Sequence, residues 1–254
     1  MTLIGTSDPA PYTCYNANGA SPFVFVSEHA GNMVPAGLKN LGLSDADLAD
    51  HIAWDPHIQD VGERLSKAMD APYFCQPYSR LMIDCNRPPG NAQSILAVSD
   101  NRRVPGNEGL SAADIKARQD EIFYPFHGAI ASFLDEREAQ GQKSILISLH
   151  SFTPSLSSCG KDRPWQITFQ YGRDPDLSQK LIALMARDPA LTVGDNVPYP
   201  VRDDYQYGIP VHGEKRGLPH TMIELRQDVI TGEDNKALWA NKLQHVLQKV
   251  EAIV

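Results

Sequence analysis

The chain has 254 residues, of which 42% are hydrophobic and 21% are charged, a composition typical of a globular protein with a sizeable core. Its formal net charge of −8 argues against nucleic acid or an anionic membrane as the main partner, because both attract basic surfaces. The sequence has no apolar run long enough to span a membrane.

Short apolar runs alternate with longer amphipathic segments along the chain. Strands are predicted at residues 22–27, 80–84, 144–149, 165–170 and 220–225, and helices at 57–70, 111–140, 176–188 and 232–251. Ser111 and Asp114 have the spacing of a capping box at the start of the second helix. The pattern predicts a single three-layer α/β domain over residues 1–254, with a mostly parallel mixed sheet flanked by helices.

The cysteines and the N-terminal segment indicate a compartment. The four cysteines are scattered without CxxC spacing, and the first residues lack the basic and apolar regions of a signal peptide. We therefore expect a cytoplasmic protein with reduced thiols at Cys14, Cys75, Cys85 and Cys159.

Three of the predicted strands end on side chains that bind metals or transfer protons. Residues 22–27 run into Glu28 and His29, residues 144–149 run into His150, and Glu224 closes the last strand. The carboxyl ends of parallel strands meet at one edge of a sheet, where open α/β sheets bind ligands. We therefore expect these side chains to lie close together.

Two histidines and a carboxylate form the minimum protein ligand set of a catalytic zinc. His29 and His150 are the candidate histidines, and the third ligand is either Asp55 or Glu28. Glu28 is adjacent to His29, and neighbours on a strand point to opposite faces. Glu224 is a candidate general base. Each residue also has a structural alternative, such as a helix cap for Asp55 before a proline.

Arginine and amide side chains flank the segment 80–84. Arg80 lies at one end, and Asn86 and Arg87 lie just past the other. An arginine in such a loop is suited to bidentate binding of a substrate carboxylate, or alternatively to holding loop carbonyls. Asp84 is expected to support a ligand or to pair with an arginine, and not to act directly in catalysis.

Five stretches resemble motifs of the N-formylglutamate amidohydrolase family, in the order in which the family has them. They are VSEHAGNMVP, HIAWDPHIQDVGERL, YSRLMIDCNRP, SLHSFTP and TMIELRQD. The resemblance implies a fold like that of zinc carboxypeptidases and one zinc ion per chain.

The resemblance also implies roles for residues of this chain. His29 and His150 correspond to zinc ligands, Glu224 to the base, and Asn86 and Arg87 to the pair that binds the substrate α-carboxylate. Asn32 stands where carboxypeptidases have a third, glutamate ligand, which moves that role to Asp55 here. Arg226 or Arg80 is expected to stabilise the oxyanion.

The implied reaction is hydrolysis of N-formyl-L-glutamate to formate and L-glutamate, a step of histidine degradation. The alternatives are a deacylase of another N-acyl amino acid and a non-catalytic carboxylate-binding protein on the same scaffold. A serine hydrolase using Ser151 is disfavoured, because the sequence has no G-x-S-x-G elbow.

Overall fold

The computed structural model describes residues 2–158, 160 and 162–252. The strands are Thr13–Tyr15 (β1), Phe23–Ser27 (β2), Tyr73–Cys75 (β3), Val98–Ser99 (β4), Arg102–Arg103 (β5), Ile145–Phe152 (β6), Ile167–Gln170 (β7), Val193–Asp195 (β8) and His220–Arg226 (β9). The α-helices are Asp45–Ala49 (α1), Ile58–Met69 (α2), Ala112–Arg118 (α3), Tyr124–Ala139 (α4), Asp176–Met185 (α5) and Glu233–Glu251 (α6). Short 3-10 segments lie at Ala36–Gly42, Pro105–Asn107, Glu214–Arg216 and Gln227–Ile230, and π-helical turns at Gln119–Phe123 and Ile209–Gly213.

Seven of these strands form one sheet in the order β1-β3-β2-β6-β9-β7-β8, and β4 pairs with β5 in a separate hairpin. The pairs β2/β3, β2/β6, β6/β9 and β7/β8 are parallel, whereas β1/β3 and β7/β9 are antiparallel. The strands β3, β2, β6 and β9 therefore run side by side in one direction. Their carboxyl ends meet at one edge of the sheet.

Helices cover both faces of this sheet. On one face, alternate residues Ile145, Ile147 and Leu149 of β6 pack in a core with α2, α5 and α6. On the other face, Leu146 of β6 packs in a second core with α4 and the turn before it. Because β6 is covered on both sides, all eight of its residues are buried, which accounts for the mostly apolar sequence of its first five residues.

The predicted class, an α/β fold with a mostly parallel mixed sheet flanked by helices, is confirmed. All four predicted helices are present, and the segment 111–140 forms α3, the π turn and α4 in succession. The Ser111–Asp114 capping box is present, with the Ser111 side chain accepting from the Asp114 N–H. Within the described residues, no helix is long and apolar enough to cross a membrane.

The predicted strand at residues 80–84 is wrong. The structure has a buried turn there, and the strand of this region is β3, at Tyr73–Cys75. The turn carbonyls are satisfied by distant side chains: Arg118 donates to the Met82 carbonyl at 2.8 Å, and Asn107 donates to the Leu81 carbonyl at 2.8 Å. A buried segment can therefore do without a strand partner when side chains supply its hydrogen bonds.

Three cysteines lie in the described part of the chain as free thiols, Cys14, Cys75 and Cys85. Burial raises the pKa of the Cys14 thiol to about 11. The fourth, Cys159, lies outside the described residues.

Candidate metal centre and active site

The ends of three parallel strands bring the predicted polar residues to one place. Glu28 and His29 follow β2 directly, His150 lies near the end of β6, and Glu224 lies near the end of β9. His150 and Glu224 are register partners across the β6/β9 pair, so they share one face of the sheet. The expectation that these side chains meet at one sheet edge is therefore confirmed for the histidines, and Glu224 lines the same cavity.

His29, Asp55 and His150 form a buried cluster that is suited to a metal ion. Their ligand atoms all lie within 4.8 Å of one another. The Nδ1 atoms of the two histidines are 3.2 Å apart, and Asp55 Oδ2 lies 2.7 Å from His150 Nδ1 and 3.6 Å from His29 Nδ1. Three side chains that are distant in sequence thus direct two nitrogens and one oxygen at a common point.

Asp55 lies in the cluster and does not cap the following helix, α2. The residue at the N-cap of α2 is His57, which has a left-handed backbone. The Asp55 backbone is held by a hydrogen bond from its N–H to the His29 carbonyl at 2.9 Å. Its carboxylate accepts from the Ser151 N–H at 3.2 Å and contacts the Arg80 guanidinium.

A second carboxylate lies behind each histidine. His29 Nε2 is 2.6 Å from Asp84 Oδ1, and because a carboxylate only accepts, Nε2 carries the proton. Burial and the Arg80 charge lower the pKa of His29 to about 4, so the ring is neutral. Its Nδ1 therefore presents a lone pair to the centre of the cluster, as a metal ligand requires.

His150 has a carboxylate at each nitrogen. Asp55 lies at Nδ1, and Glu28 Oε2 lies 3.1 Å from Nε2 in an ion-pair contact. Within the described residues, His150 Nε2 makes no aligned hydrogen bond. A neutral imidazole has one proton for these two carboxylates, so one of them faces a bare nitrogen.

The two buried supporting carboxylates are ionised. Burial acts to raise the pKa of Glu28, but the His150 ring outweighs it and leaves that pKa at about 2. Burial also acts to raise the pKa of Asp84, yet the hydrogen bond from His29 and the charge of Arg87 hold it well below its usual range.

The cluster fits a zinc ion in both chemistry and spacing. A cation bound by the two Nδ1 atoms would place the His150 proton on Nε2, 3.1 Å from Glu28 Oε2, and so give that nitrogen a partner. Ligands held tetrahedrally at about 2.0–2.1 Å from zinc lie about 3.3 Å apart. The three separations among His29 Nδ1, His150 Nδ1 and Asp55 Oδ2 are 2.7, 3.2 and 3.6 Å and lie on both sides of that value.

The cluster opens on a cavity of about 440 Å³. Arg80, Asn86, Arg87 and Glu224 line it together with the three cluster residues. Arg87 stacks on the Tyr205 ring, with its guanidinium carbon 3.8 Å from the ring centre. The structure thus brings seven of the eight residues singled out for metal, substrate or catalysis to one cavity.

Asn86 has a structural role as well as a place in the cavity wall. Its Oδ1 accepts from the backbone N–H groups of Tyr207 and Gly208, both at 3.1 Å. Its own N–H donates to Asp84 Oδ1 at 2.8 Å. The side-chain oxygen is therefore engaged with backbone, which leaves the amide nitrogen for a ligand.

Arg226 is the residue that the structure does not bring to the site. Its guanidinium binds both carboxylate oxygens of Asp228 and the carbonyls of Arg163 and Pro164. It does not line the cavity described above. Arg80, the alternative considered from sequence, is the arginine beside the cluster, where its guanidinium contacts Asp55.

Sequence reasoning identified the support from Asp84 but missed the role of Glu28. The sequence makes Glu28 a candidate metal ligand, whereas its carboxylate lies behind His150, 3.1 Å from Nε2. Alternation along a strand was the signal, because it directs residues 28 and 29 to different neighbours. Ser148, which donates to Glu28 Oε2 at 2.9 Å, precedes His150 by two residues and could be placed on the same face by that rule.

The sequence matches the family model of N-formylglutamate amidohydrolase over residues 21–231. The chain belongs to the N-formylglutamate amidohydrolase family. A gene product of Agrobacterium tumefaciens of known crystal structure is 32% identical to it, with a TM-score of 0.94 and 99% of each chain covered. Comparison with curated protein sequences gives no match.

Two further solved structures are more distant. The N-formylglutamate amidohydrolase of Ralstonia eutropha is 17% identical, with a TM-score of 0.76 and 97% of this chain and 98% of that chain covered, which shows a common fold. A carboxypeptidase A-type protein of Shewanella denitrificans is 12% identical, with a TM-score of 0.31 and 82% of this chain and 49% of that chain covered. That similarity is too low to support a conclusion.

Proposed function

We propose that this member of the family is a zinc-dependent amidohydrolase that converts N-formyl-L-glutamate to formate and L-glutamate. The observation that carries the proposal is the convergence of His29 Nδ1, His150 Nδ1 and the Asp55 carboxylate at the wall of the cavity. Two further observations support the proposal. A carboxylate lies behind each of the two histidines, and the chain belongs to the N-formylglutamate amidohydrolase family.

The metal would be held by His29, Asp55 and His150. When bound, zinc supplies a Lewis acid for a carbonyl oxygen and lowers the pKa of water to about 7. Asp84 keeps the proton of His29 on Nε2, and with the ion bound Glu28 would accept the proton of His150 at Nε2, so that both Nδ1 atoms face the ion.

Glu224 is the proposed general base. It shares the face of the sheet with His150, lines the cavity and is only partly buried, so that its carboxylate is open to water. In the reaction, the water oxygen bonds to the formyl carbon while Glu224 takes one proton from that water. The C–N bond then breaks, and Glu224 returns the proton to the leaving nitrogen.

The cavity arginines are suited to the charges of the substrate. Arg80 is the proposed partner of the developing oxyanion, because its guanidinium lies beside Asp55 and lines the cavity. Arg87 and the amide nitrogen of Asn86 are the proposed contacts of the α-carboxylate. Stacking on Tyr205 holds the Arg87 guanidinium in place.

Formate release tests the proposal. Purified protein is supplied with N-formyl-L-glutamate before and after removal of metal with a chelator, and again after zinc is added back. Release that stops with the chelator and returns with zinc is expected. Zinc-loaded, folded protein that releases no formate would exclude this substrate, and a parallel panel of N-acetyl and other N-acyl amino acids would identify a different deacylase.

A further inference from the structure

Gly208 has no backbone reason to be a glycine. Its φ of −57° and ψ of −62° lie in the right-handed helical region, which every L residue adopts. A Cβ atom added to it would lie 2.0 Å from Glu28 Oε1 and 3.2 Å from the Glu28 carboxyl carbon. The Glu28 carboxylate therefore occupies the space that a side chain at position 208 would take.

The Glu28 carboxylate is enclosed on its other side by β6. Ser148 Oγ donates to Oε2 at 2.9 Å, and His150 Nε2 lies 3.1 Å from the same oxygen. Ser148 and His150 are two residues apart on one face of the strand. Glu28 is 1% exposed, so its position is fixed between this strand and Gly208.

Asn86 holds Gly208 in this position and connects it to the second histidine. Its side-chain oxygen accepts from the Gly208 N–H at 3.1 Å. Its backbone N–H donates at 2.8 Å to Asp84 Oδ1, the same oxygen that binds His29 Nε2. One short chain of contacts thus joins the carboxylates behind both histidines.

We infer that Gly208 is a positioning residue of the metal centre, and that its role is to leave room for Glu28 behind His150. With the ion bound, the His150 proton would lie on Nε2, 3.1 Å from Glu28 Oε2, so that Glu28 orients the ring and Nδ1 faces the ion. The inference rests on the proposed function in one respect, namely that His29, Asp55 and His150 bind zinc.

A side chain at position 208 should weaken zinc binding by displacing Glu28. Loss of such an outer partner typically lowers metal affinity by about 10–100-fold. The effect of a Gly208 substitution should vanish when Glu28 is shortened, because the clash and the lost contact are then already absent. This dependence distinguishes positioning through Glu28 from a general disturbance of the turn.

The test measures zinc affinity by competition with a chromophoric chelator for wild type, Gly208→Ala, Glu28→Ala and the double variant. Gly128→Ala is the matched control, since Gly128 is exposed on α4 and an added Cβ meets nothing within 4 Å. We expect Gly208→Ala and Glu28→Ala each to weaken zinc binding about 10–100-fold, the double variant to equal Glu28→Ala, and Gly128→Ala to match wild type.

Wild-type affinity in Gly208→Ala would overturn the inference, and so would a double variant whose loss is the product of the two single losses. If Gly208→Ala does not fold, recovery of folding in the double variant supports the clash, and Ser148→Ala, expected to weaken zinc binding several-fold, tests the link to the metal. Formate release by wild type judges the proposed function separately. A wild-type protein that binds no zinc would overturn both.

Discussion

Substitution of Asp84 tests whether the carboxylate behind His29 strengthens zinc binding by orienting that histidine. Its Oδ1 accepts two hydrogen bonds, from His29 Nε2 at 2.6 Å and from the Asn86 N–H at 2.8 Å, and its Oδ2 lies 3.8 Å from Arg87 Nε. Asp84→Asn keeps an oxygen for both hydrogen bonds, and it removes the charge and the second carboxylate oxygen, which faces Arg87. Asp84→Ala removes both bonds and leaves the Asn86 N–H buried without its partner.

The expected loss of zinc affinity in each variant follows from the hydrogen bonds that Asp84 makes. A hydrogen bond to a charged group contributes about 1.5–3 kcal/mol, and a neutral one contributes about 0.5–1.5 kcal/mol. Asp84→Asn should therefore cost about 1 kcal/mol, or roughly five- to tenfold in the Kd for zinc. Asp84→Ala should cost about 1.5–3 kcal/mol, or roughly 10–100-fold.

Competition with a chromophoric chelator at pH 7 measures this series, and the unfolding temperature of each variant checks that the protein is folded. Asp120→Asn is a suitable control, because Asp120 pairs with Lys116 on the surface of the helical segment after α3. Zinc affinity is expected to be highest for wild type, lower for Asp84→Asn and lowest for Asp84→Ala. An Asp84→Ala protein that binds zinc as tightly as wild type would refute the role of this carboxylate.

Three further predictions concern catalysis and stability. Glu224→Gln should lower kcat for formate release by about 10²–10⁴ with little change in zinc affinity, and a retained kcat would rule Glu224 out as the base. Arg80→Lys should lower kcat/KM by at least about tenfold, whereas Arg226→Lys should stay near wild type; equal effects would contradict the assignment of the oxyanion partner to Arg80. Burial, together with the charge of His127, lowers the pKa of His212 to about 3. Since an unfolded histidine titrates near 6.5, the unfolded chain binds the extra proton first, and stability falls as the pH drops below about 6.5. His212→Asn should flatten that fall in urea unfolding between about pH 6.5 and 4, and an unchanged slope would show that His212 does not cause it.

Local patterns were sufficient to predict most of the fold. The strands β2, β6 and β7 are buried along their whole length, so their largely apolar composition marks them, and the capping box at Ser111 marks the start of α3. The same reasoning predicts a strand at residues 80–84, which is wrong because the apolar residues of that segment are buried in a turn. What makes that turn possible is the Arg118 guanidinium, which comes from a helix more than thirty residues later and binds Met82 and Asn107.

The candidate site divides in the same way. The sequence predicts that His29, His150 and Glu224 meet, because each lies at or just past the carboxyl end of a strand. The strands β2, β6 and β9 are parallel neighbours, so these ends lie at one edge of the sheet. The residues alone leave the third ligand open between Asp55 and Glu28, and the family resemblance favours Asp55. The structure places Asp55 in the cluster, with His57 at the N-cap of α2. Arg226 was misleading because an arginine at a strand end is compatible with both a catalytic and a structural role.

The most direct test of the proposed zinc site is anomalous diffraction at the zinc edge from crystals grown with zinc and L-glutamate. We predict one strong peak bound by His29 Nδ1, His150 Nδ1 and the Asp55 carboxylate, with the α-carboxylate of glutamate at Arg87 in the same cavity. A peak bound by Glu28 in place of Asp55, or glutamate bound away from this cavity, would contradict it.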